Sequence, residues 1–203
     1  QLQKTVVDSV ESRLQEVLTI NLASAKELSR RLPRLLSNTT PVIDSGLSWL
    51  VEYLDSVIDS FPVVDVHYFF FANGKVVALL RNDDETSQLC EEFYPDGCFM
   101  WSYTRGNIST INESAPTVTV LSNYVGFTRP YFAGASRTIP FDYQWTNPYV
   151  IGDFTLYTNA ISILHPTTGE FIGGMGADMF VGRLTTFLKG LQSTPNTKIF
   201  LVD

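Results

Sequence analysis

The sequence is poor in basic residues, and this scarcity argues against two classes of partner. Its 203 residues include 14 Lys and Arg against 21 Asp and Glu, which gives a formal net charge of −7. The only basic cluster is Arg30-Arg31 with Arg34 nearby. Nucleic acids and anionic membrane surfaces are bound through basic patches. The composition therefore predicts neither nucleic acid nor an anionic membrane surface as a partner.

Long apolar runs are also missing. No stretch of about 18 apolar residues occurs, so the sequence predicts no membrane-spanning helix, and no signal peptide is recognisable. Hydrophobic residues still make up 44% of the chain, which is enough for a packed core. The chain begins at Gln1 rather than at a methionine, and we expect it to be a piece of a longer protein.

Cysteine and histidine are scarce, with two of each. Cys90 and Cys98 flank a Pro95-Asp96-Gly97 turn sequence, and we favour a disulfide between them over two separate buried thiols. His67 and His165 stand too far away in the sequence for a zinc-finger spacing, so no metal site is predicted.

The sequence permits an extracellular address. A disulfide requires an oxidising compartment, and Asn-X-Ser/Thr glycosylation sequences start at Asn38, Asn107 and Asn112. A chain this rich in Asn, Ser and Thr contains nearly that many such sequences by chance. These features therefore permit an extracellular location but do not require one.

Signatures of catalysis are lacking as well. No Ser-His-Asp order stands out, and Asp142 and Asp153 are candidates for a catalytic pair only by count. Gly173-Gly174-Met175-Gly176 lies within a strand pattern, where small residues favour close packing over phosphate binding. We therefore predict no enzymatic activity and no cofactor.

The first part of the chain is helical in pattern. Apolar residues recur at helical spacing over residues 3 to about 32, which predicts one amphipathic helix about 45 Å long. A helix of this length either dimerises or passes along more than one module. Thr40-Pro41 predicts the start of a second helix, which runs to about Phe61.

The rest of the chain is mainly strand in pattern. Val63 to Phe71 and Val76 to Leu80 flank Asn73-Gly74, a two-residue type I′ hairpin signal. Residues 82 to 116 are turn-rich and predict loops, at least one short helix, and short strands such as Phe99 to Tyr103. Further strands are predicted at Thr117–Leu121, Phe154–Leu164, Phe171–Met175 and Lys198–Val202, with a helix from Met179 to about Leu191.

This order predicts an α+β fold with helices packed on one antiparallel sheet. We divide the chain into an N-terminal pair of helices (1–61), a sheet-containing ligand-binding module (62–192), and a linker with a strand (193–203). A final strand without a following partner indicates that a further module continues from it.

One stretch carries the chemistry of a binding site. Tyr124 to Ala135 places four aromatic residues around Arg129, and an apolar strand ends at Asp178. Arginine pairs with a carboxylate, aspartate pairs with an ammonium group, and aromatic faces attract the same cation. Together they suit a small zwitterion, whereas a structural salt bridge within an aromatic core is the plainer alternative. A second aromatic block follows, made of Phe141, Tyr143, Trp145 and Tyr149.

The spacing of these residues resembles that of double Cache domains, the extracytoplasmic sensors of many chemoreceptors, histidine kinases and cyclases. The resemblance is to their membrane-distal, PAS-like module, and it covers nearly the whole chain. The matching positions are Tyr124, Arg129, Tyr131, Phe132 and Ala135, then Trp145 with Pro148-Tyr149, then Gly176-Ala177-Asp178. The fold it implies is a long N-terminal helix packed on a PAS-like antiparallel sheet.

The resemblance also implies roles for individual residues. Arg129 would bind a ligand carboxylate, Asp178 would bind an ammonium group, and Tyr124 and Tyr131 would form walls and donors. The predicted ligand-binding set is Tyr124, Arg129, Tyr131, Phe132, Trp145, Tyr149, Asp153 and Asp178.

The chain departs from the amino-acid motif at three positions. Tyr131 stands where Trp is usual, Phe132 stands where Tyr is usual, and Ile151 replaces a common Asp, although Asp153 follows two residues on. A buried ammonium group that lacks one partner is destabilised by about 1–3 kcal/mol. Another carboxylate, an amine or a different small polar ligand is thus an alternative to an amino acid.

The function implied is that of a sensor domain on the extracellular or periplasmic face of the plasma membrane. As part of a membrane-anchored receptor, for example in chemotaxis, it would bind a small polar ligand and signal through the long helix, with a homodimer through that helix as a possible assembly. The alternative is a structural or partner-binding ectodomain whose ligand pocket has degenerated.

Overall fold

The computed structural model describes residues 2–31, 48–62, 64–82, 86–93, 97–111, 118–119, 126–135 and 138–190. Tyr124, the predicted helix start at Thr40 and the predicted strand Lys198–Val202 lie outside the described residues. So do the glycosylation sequences at Asn38 and Asn112.

The two predicted N-terminal helices are present. Helix α1 spans Leu2–Arg31 and helix α2 spans Ser48–Ser60. Within the described ranges, two shorter α-helices follow, α3 at Pro130–Gly134 and α4 at Val181–Gly190. Leucine and valine residues at helical spacing turn one face of α2 into the core, because residues three and four apart lie on the same side of a helix.

The described strands form one antiparallel sheet, which confirms the predicted α+β fold. The order across the sheet is β5-β4-β3-β2-β1-β9-β8-β6, and β7 also pairs with β8. The strands span Val66–Phe71 (β1), Val76–Arg81 (β2), Thr86–Phe93 (β3), Gly97–Thr104 (β4), Val118–Thr119 (β5), Tyr143–Trp145 (β6), Tyr149–Ile151 (β7), Phe154–Leu164 (β8) and Phe171–Phe180 (β9).

The β1–β2 hairpin is confirmed, but the predicted turn type is wrong. The Gly74 N–H donates to the Phe71 carbonyl at 2.9 Å, and the Phe71 N–H donates to the Lys75 carbonyl at 2.7 Å. The loop therefore has three residues. Gly74 has a φ of 87°, whereas Asn73 is not among the residues with positive φ that a type I′ turn requires. A turn closed by a left-handed glycine is the usual three-residue solution.

Two other boundaries differ from the prediction. Residues 86–104 were expected to hold mainly loops but form the long β3–β4 hairpin. The prediction missed β3 because polar residues along this strand hide its alternation, in which Ser87 and Leu89 are buried on one side. Strand β9 continues through Asp178 to Phe180, so α4 begins at Val181. Asp178 thus lies inside the strand and not at its end.

The two faces of the sheet have different roles. Helices α1 and α2 cover one face, where Phe69, Leu79 and Met175 join the largest buried cluster. Because successive residues of a strand point to opposite faces, Tyr68, Ala78 and Gly176 face the other side. On that side, a smaller cluster combines residues of the sheet with Tyr131 and Phe132 of α3.

Candidate functional site

A cavity of about 390 Å³ lies on the sheet face opposite α1 and α2. This volume falls within the usual range for small-molecule sites. Its walls come from seven strands (β1 to β4 and β7 to β9), from α3 and from the turn between β7 and β8. The lining side chains are mostly apolar, among them Val66, Val76, Ala78, Leu80, Met100, Ile151, Phe154, Leu156 and Phe180.

The floor of the cavity depends on a glycine of β9. A Cβ atom at Gly176 would overlap the ring of Tyr68, so the missing side chain is what allows this ring to lie across β9. The Tyr68 ring then meets the Tyr131 ring edge to face, with 5.0 Å between centroids. Tyr131 is only 1% exposed. The glycine-rich tract of β9 therefore serves close packing, as its sequence pattern predicted.

Asp178 is the buried carboxyl group that lines this cavity. Its side chain is buried, and its Oδ1 accepts a hydrogen bond of 2.6 Å from the Thr158 hydroxyl on β8. The Tyr149 hydroxyl lies 2.7 Å from the same Thr158 oxygen. Strand pairing fixes this arrangement, since Thr158 and Asp178 are register partners in the β8–β9 ladder.

Burial raises the pKa of Asp178 from 3.8 to about 7, because a carboxylate is poorly solvated inside the protein. Hydrogen bonds from Thr158 and Tyr68 lower this pKa, and the negative charge of Asp65 raises it further. At neutral pH the group therefore stands near the midpoint of its titration.

The charge within the cavity is negative. Of the described residues that line it, the charged ones are Asp178 and Asp153. Asp153 is exposed and lies in the turn between β7 and β8, at the mouth of the cavity. Within the described part of the chain, no cationic side chain forms an ion pair with Asp178.

Two arginines beside this cavity are engaged elsewhere. Arg81 and Arg183 line a second cavity of about 510 Å³ at the adjoining end of the sheet. Arg183 Nε lies 2.7 Å from Oδ1 of the buried Asp65. Arg81 donates to the backbone carbonyls of Val64 and Phe61, both at 3.3 Å. Their charges therefore serve to hold the end of the sheet together.

The structure brings some of the predicted ligand-binding residues together. Tyr131, Asp153 and Asp178 line the cavity. Tyr149 reaches Asp178 through Thr158. Phe132 is buried in the aromatic cluster beside the cavity, with its ring 5.7 Å from that of Phe70, and does not line the cavity itself.

Arg129 and Trp145 lie apart from this group. Arg129 caps the start of α3 in an extended conformation and is half-buried two residues before Tyr131, but it is not among the described residues that line the cavity. Trp145 packs against the cluster that contains Val17 and Ala177, on the helix-covered side of the sheet. The predicted proximity of Trp145 to the other site residues is therefore not observed. Tyr124 lies outside the described residues.

Two residues of the site were missed by the sequence reasoning. Tyr68 and Thr158 belong to strands that were predicted, but their polar groups carried no motif. The available signal was alternation, since Thr158 stands two residues from Leu156, which lines the cavity, and therefore points to the same face of the sheet. Its meeting with Asp178 depends on the strand register, which the sequence does not display.

The predicted disulfide would join two neighbouring strands. Cys90 on β3 is the register partner of Met100, and Cys98 on β4 is the partner of Glu92. The two positions are thus diagonal neighbours in the β3–β4 ladder, and Cys90 lines the cavity. The side chain of Cys98 is outside the described part, so the bond stays a prediction.

Comparison with known proteins was informative only for structure. No protein-family model matches the chain, and no curated protein matches it. The sensory domain of the Campylobacter jejuni chemoreceptor Tlp3 is similar in structure, with TM-scores of 0.57 for its L-valine complex and 0.58 for its L-norvaline complex. Sequence identity is 17% and 16%, and the match covers 96% of this chain and 62% and 60% of those chains.

A second chemoreceptor domain is also similar. The ligand-binding domain of Pseudomonas fluorescens CtaA with L-isoleucine gives a TM-score of 0.51 at 14% identity, covering 90% of this chain and 55% of that one. The present chain therefore spans about three fifths of the length of these domains. The comparisons confirm the predicted fold of a chemoreceptor-type sensory domain. Within the described ranges, no helix is both long and apolar enough to cross a membrane.

Proposed function

We propose that this chain is the ligand-binding module of a receptor sensor domain and that its ligand carries an ammonium group. The observation that supports this most strongly is Asp178, a buried carboxylate that faces a cavity and has no cationic partner among the described residues. The proposal includes amino acids and simple amines as ligands, and it assigns the chain no enzymatic activity.

The physical argument is one of charge compensation. A buried ion is strongly destabilising unless it is paired and hydrogen-bonded. The ammonium group of a ligand would supply the missing charge at Asp178, and the ring faces of Tyr68 and Tyr131 would add cation–π attraction of about 0.5–2 kcal/mol each. The apolar walls would receive the body of the ligand. For an amino acid, Arg129 is the proposed partner of the carboxylate, since it lies two residues before Tyr131.

The role of α1 in signalling is part of the same proposal. Asn21 of α1 donates from Nδ2 to the backbone carbonyl and to Oδ1 of Asn159, at 2.7 and 2.9 Å. Asn159 directly follows Thr158, the hydrogen-bond partner of Asp178. Helix α1 packs against both β8 and β9. A ligand that moves Asp178 or Thr158 thus acts on the two strands against which α1 packs. If α1 has two positions on the sheet, a ligand that binds one of them more tightly shifts the equilibrium toward it.

The remaining parts of the proposal concern the whole receptor. We propose an extracellular or periplasmic location, a further module after residue 192, and pairing of two chains through α1. Their support is the fold shared with chemoreceptor sensory domains that are longer than this chain. Deletion of the chain from the intact receptor is expected to abolish its response to the ligand, and an unchanged response would contradict this role.

A matched set of three compounds tests the ligand class. L-valine carries both charges, isobutylamine lacks its carboxylate, and isovalerate lacks its ammonium group. A ligand at 100 times its Kd adds about 2.7 kcal/mol, or a rise of roughly 5–10 °C in Tm for a chain of this size. L-valine, isobutylamine or both are expected to raise the Tm of the wild type, and isovalerate is not.

The variant Asp178→Asn is the matched control for this experiment. It keeps the shape and the acceptor oxygen of the side chain but removes the charge, so we expect it to lose the response to the cationic compounds. A response to isovalerate alone, or an undiminished response of the variant, would contradict the proposal. No response to any amino acid, amine or small acid would favour the structural or partner-binding ectodomain.

A further inference from the structure

We propose that Thr158, itself held by Tyr149, is a positioning residue that orients the Asp178 carboxylate toward the ligand and keeps it in the charged form that binds a cation. This inference rests on the proposed function, because it assigns Asp178 the role of ammonium partner. It adds two residues of β7 and β8 that act on the ligand through Asp178, without themselves needing to touch it.

The direction of the hydrogen bonds follows from counting protons. A hydroxyl group has one proton to donate. While Asp178 is ionised it can only accept, so Thr158 donates its proton to Oδ1 at 2.6 Å. The Tyr149 hydroxyl, 2.7 Å from the Thr158 oxygen, must then donate to it. The result is a relay from Tyr149 through Thr158 to Asp178 that favours the ionised carboxylate.

The relay is anchored at its centre. Thr158 is fully buried, and its backbone N–H donates to the Thr146 hydroxyl at 3.1 Å. The Thr146 N–H in turn donates to the Thr158 carbonyl at 2.9 Å. A β-branched side chain on a fixed backbone has few rotamers to choose from. Thr158 can thus hold Oδ1 of Asp178 in one place while the carboxylate retains acceptor sites for an ammonium group, since two oxygens offer about four such sites.

Charged and titratable neighbours set the background for this relay. Those around the Asp178 carboxyl are Asp65, which directly precedes β1, Tyr68 of β1, Tyr131 of α3, Tyr149 of β7, and Asp153 at the cavity mouth. Burial opposes the charge on Asp178, and the carboxylate of Asp65 repels it as well. The hydroxyl groups of Thr158 and Tyr68 stabilise the ionised carboxylate through their hydrogen bonds. On β8, it is Thr158 that supplies this stabilisation.

The test is the pH dependence of isobutylamine binding, measured by calorimetry between pH 6 and 8.5. With a pKa of about 7 for Asp178, the wild type is expected to bind about tenfold more weakly at pH 6 than at pH 8.5, since only the ionised form binds. Removing a hydrogen bond to a charged group in Thr158→Val is expected to raise this pKa by about one unit. Compared with the wild type at the same pH, the variant is then expected to bind isobutylamine about fivefold more weakly at pH 7 but only about 1.3-fold more weakly at pH 8.5.

Two further variants make the result specific. Thr158→Ser retains the hydroxyl group and is expected to restore the wild-type profile. Tyr149→Phe removes only the outer member of the relay and is expected to shift the profile in the same direction by a smaller amount. Circular dichroism verifies that each variant is folded, and if Thr158→Val does not fold, Tyr149→Phe and Thr158→Ser decide the question.

Either of two outcomes would overturn the role of Thr158. If Thr158→Val weakens binding equally at every pH, or if neither it nor Tyr149→Phe shifts the profile, the positioning role is wrong. Asp178→Asn separates this failure from that of the proposed function. If that variant binds isobutylamine as the wild type does, the ammonium site itself is wrong. If it loses binding while the relay variants leave the profile unchanged, only the relay is wrong.

Discussion

Replacing Asp178 by asparagine is expected to stabilise the ligand-free protein at neutral and alkaline pH. The folded protein holds the Asp178 proton more tightly than the unfolded chain does, because its pKa is raised from 3.8 to about 7. The stability that this group contributes is therefore fully present below about pH 4, falls as the pH rises toward 7, and is absent above that. Asparagine stays neutral throughout and avoids this loss.

The size of the effect follows from the pKa difference. About three pKa units at about 1.4 kcal/mol each give an advantage of about 4 kcal/mol for Asp178→Asn above pH 7, and of almost nothing near pH 4. For a domain of this length, each kcal/mol corresponds to about 2–4 °C in Tm. The variant is thus expected to melt roughly 8–16 °C above the wild type at pH 8. The asparagine oxygen can still accept the hydrogen bond from Thr158.

Thermal melts of both proteins from pH 4 to pH 8 provide the assay. The quantity to compare is the difference in Tm between variant and wild type, since other carboxylates titrate in both proteins and cancel. Asp142→Asn, at an exposed side chain, is the control and is expected to change stability by less than about 0.5 kcal/mol throughout. A difference that does not grow with pH, or a variant less stable than the wild type at pH 8, would refute the reasoning.

Two further variants test the floor and the edge of the site. Gly176→Ala places a methyl group where the Tyr68 ring lies, and we expect a loss of about 1–3 kcal/mol in chemical denaturation together with weaker isobutylamine binding. Gly182→Ala, where an added Cβ meets nothing nearby, is its control, and equal effects of the two would contradict the packing argument. Arg129→Ala is expected to weaken binding of L-valine but not of isobutylamine in calorimetric titration without unfolding the domain. Equal affinity of wild type and variant for L-valine would remove Arg129 from the site.

The architecture could be predicted from the sequence to a large extent, because much of it is encoded locally. The periodic apolar pattern identified α1, and the alternation along Phe154–Leu164 gave β8 with the boundaries that the structure shows. The signal at Asn73-Gly74 placed the β1–β2 hairpin correctly. Its turn type depended on one further residue in the loop, which the dipeptide does not specify.

The candidate site was predicted less completely, because its geometry depends on which strands become neighbours. Asp178 was identified by its place in a motif, but its burial and its contact with Thr158 arise from the pairing of β8 with β9. Trp145 was grouped with the other aromatic residues by proximity in the sequence. In the sheet its side chain contacts the cluster beneath α1, on the face away from the cavity. Sequence spacing alone cannot distinguish the two faces of a strand that short.

The unfavourable burial of Asp178 is itself an argument for function. A carboxyl group whose ionisation destabilises the folded chain by about 4 kcal/mol has an evident neutral replacement in asparagine, which fits the same hydrogen bond. Structure alone gives no reason to keep the charge, since no described cation balances it. A ligand that brings a positive charge into the cavity reverses this, because the same burial that destabilises the isolated carboxylate strengthens its attraction to an ammonium group. The destabilised state without ligand is then what makes the protein sensitive to binding.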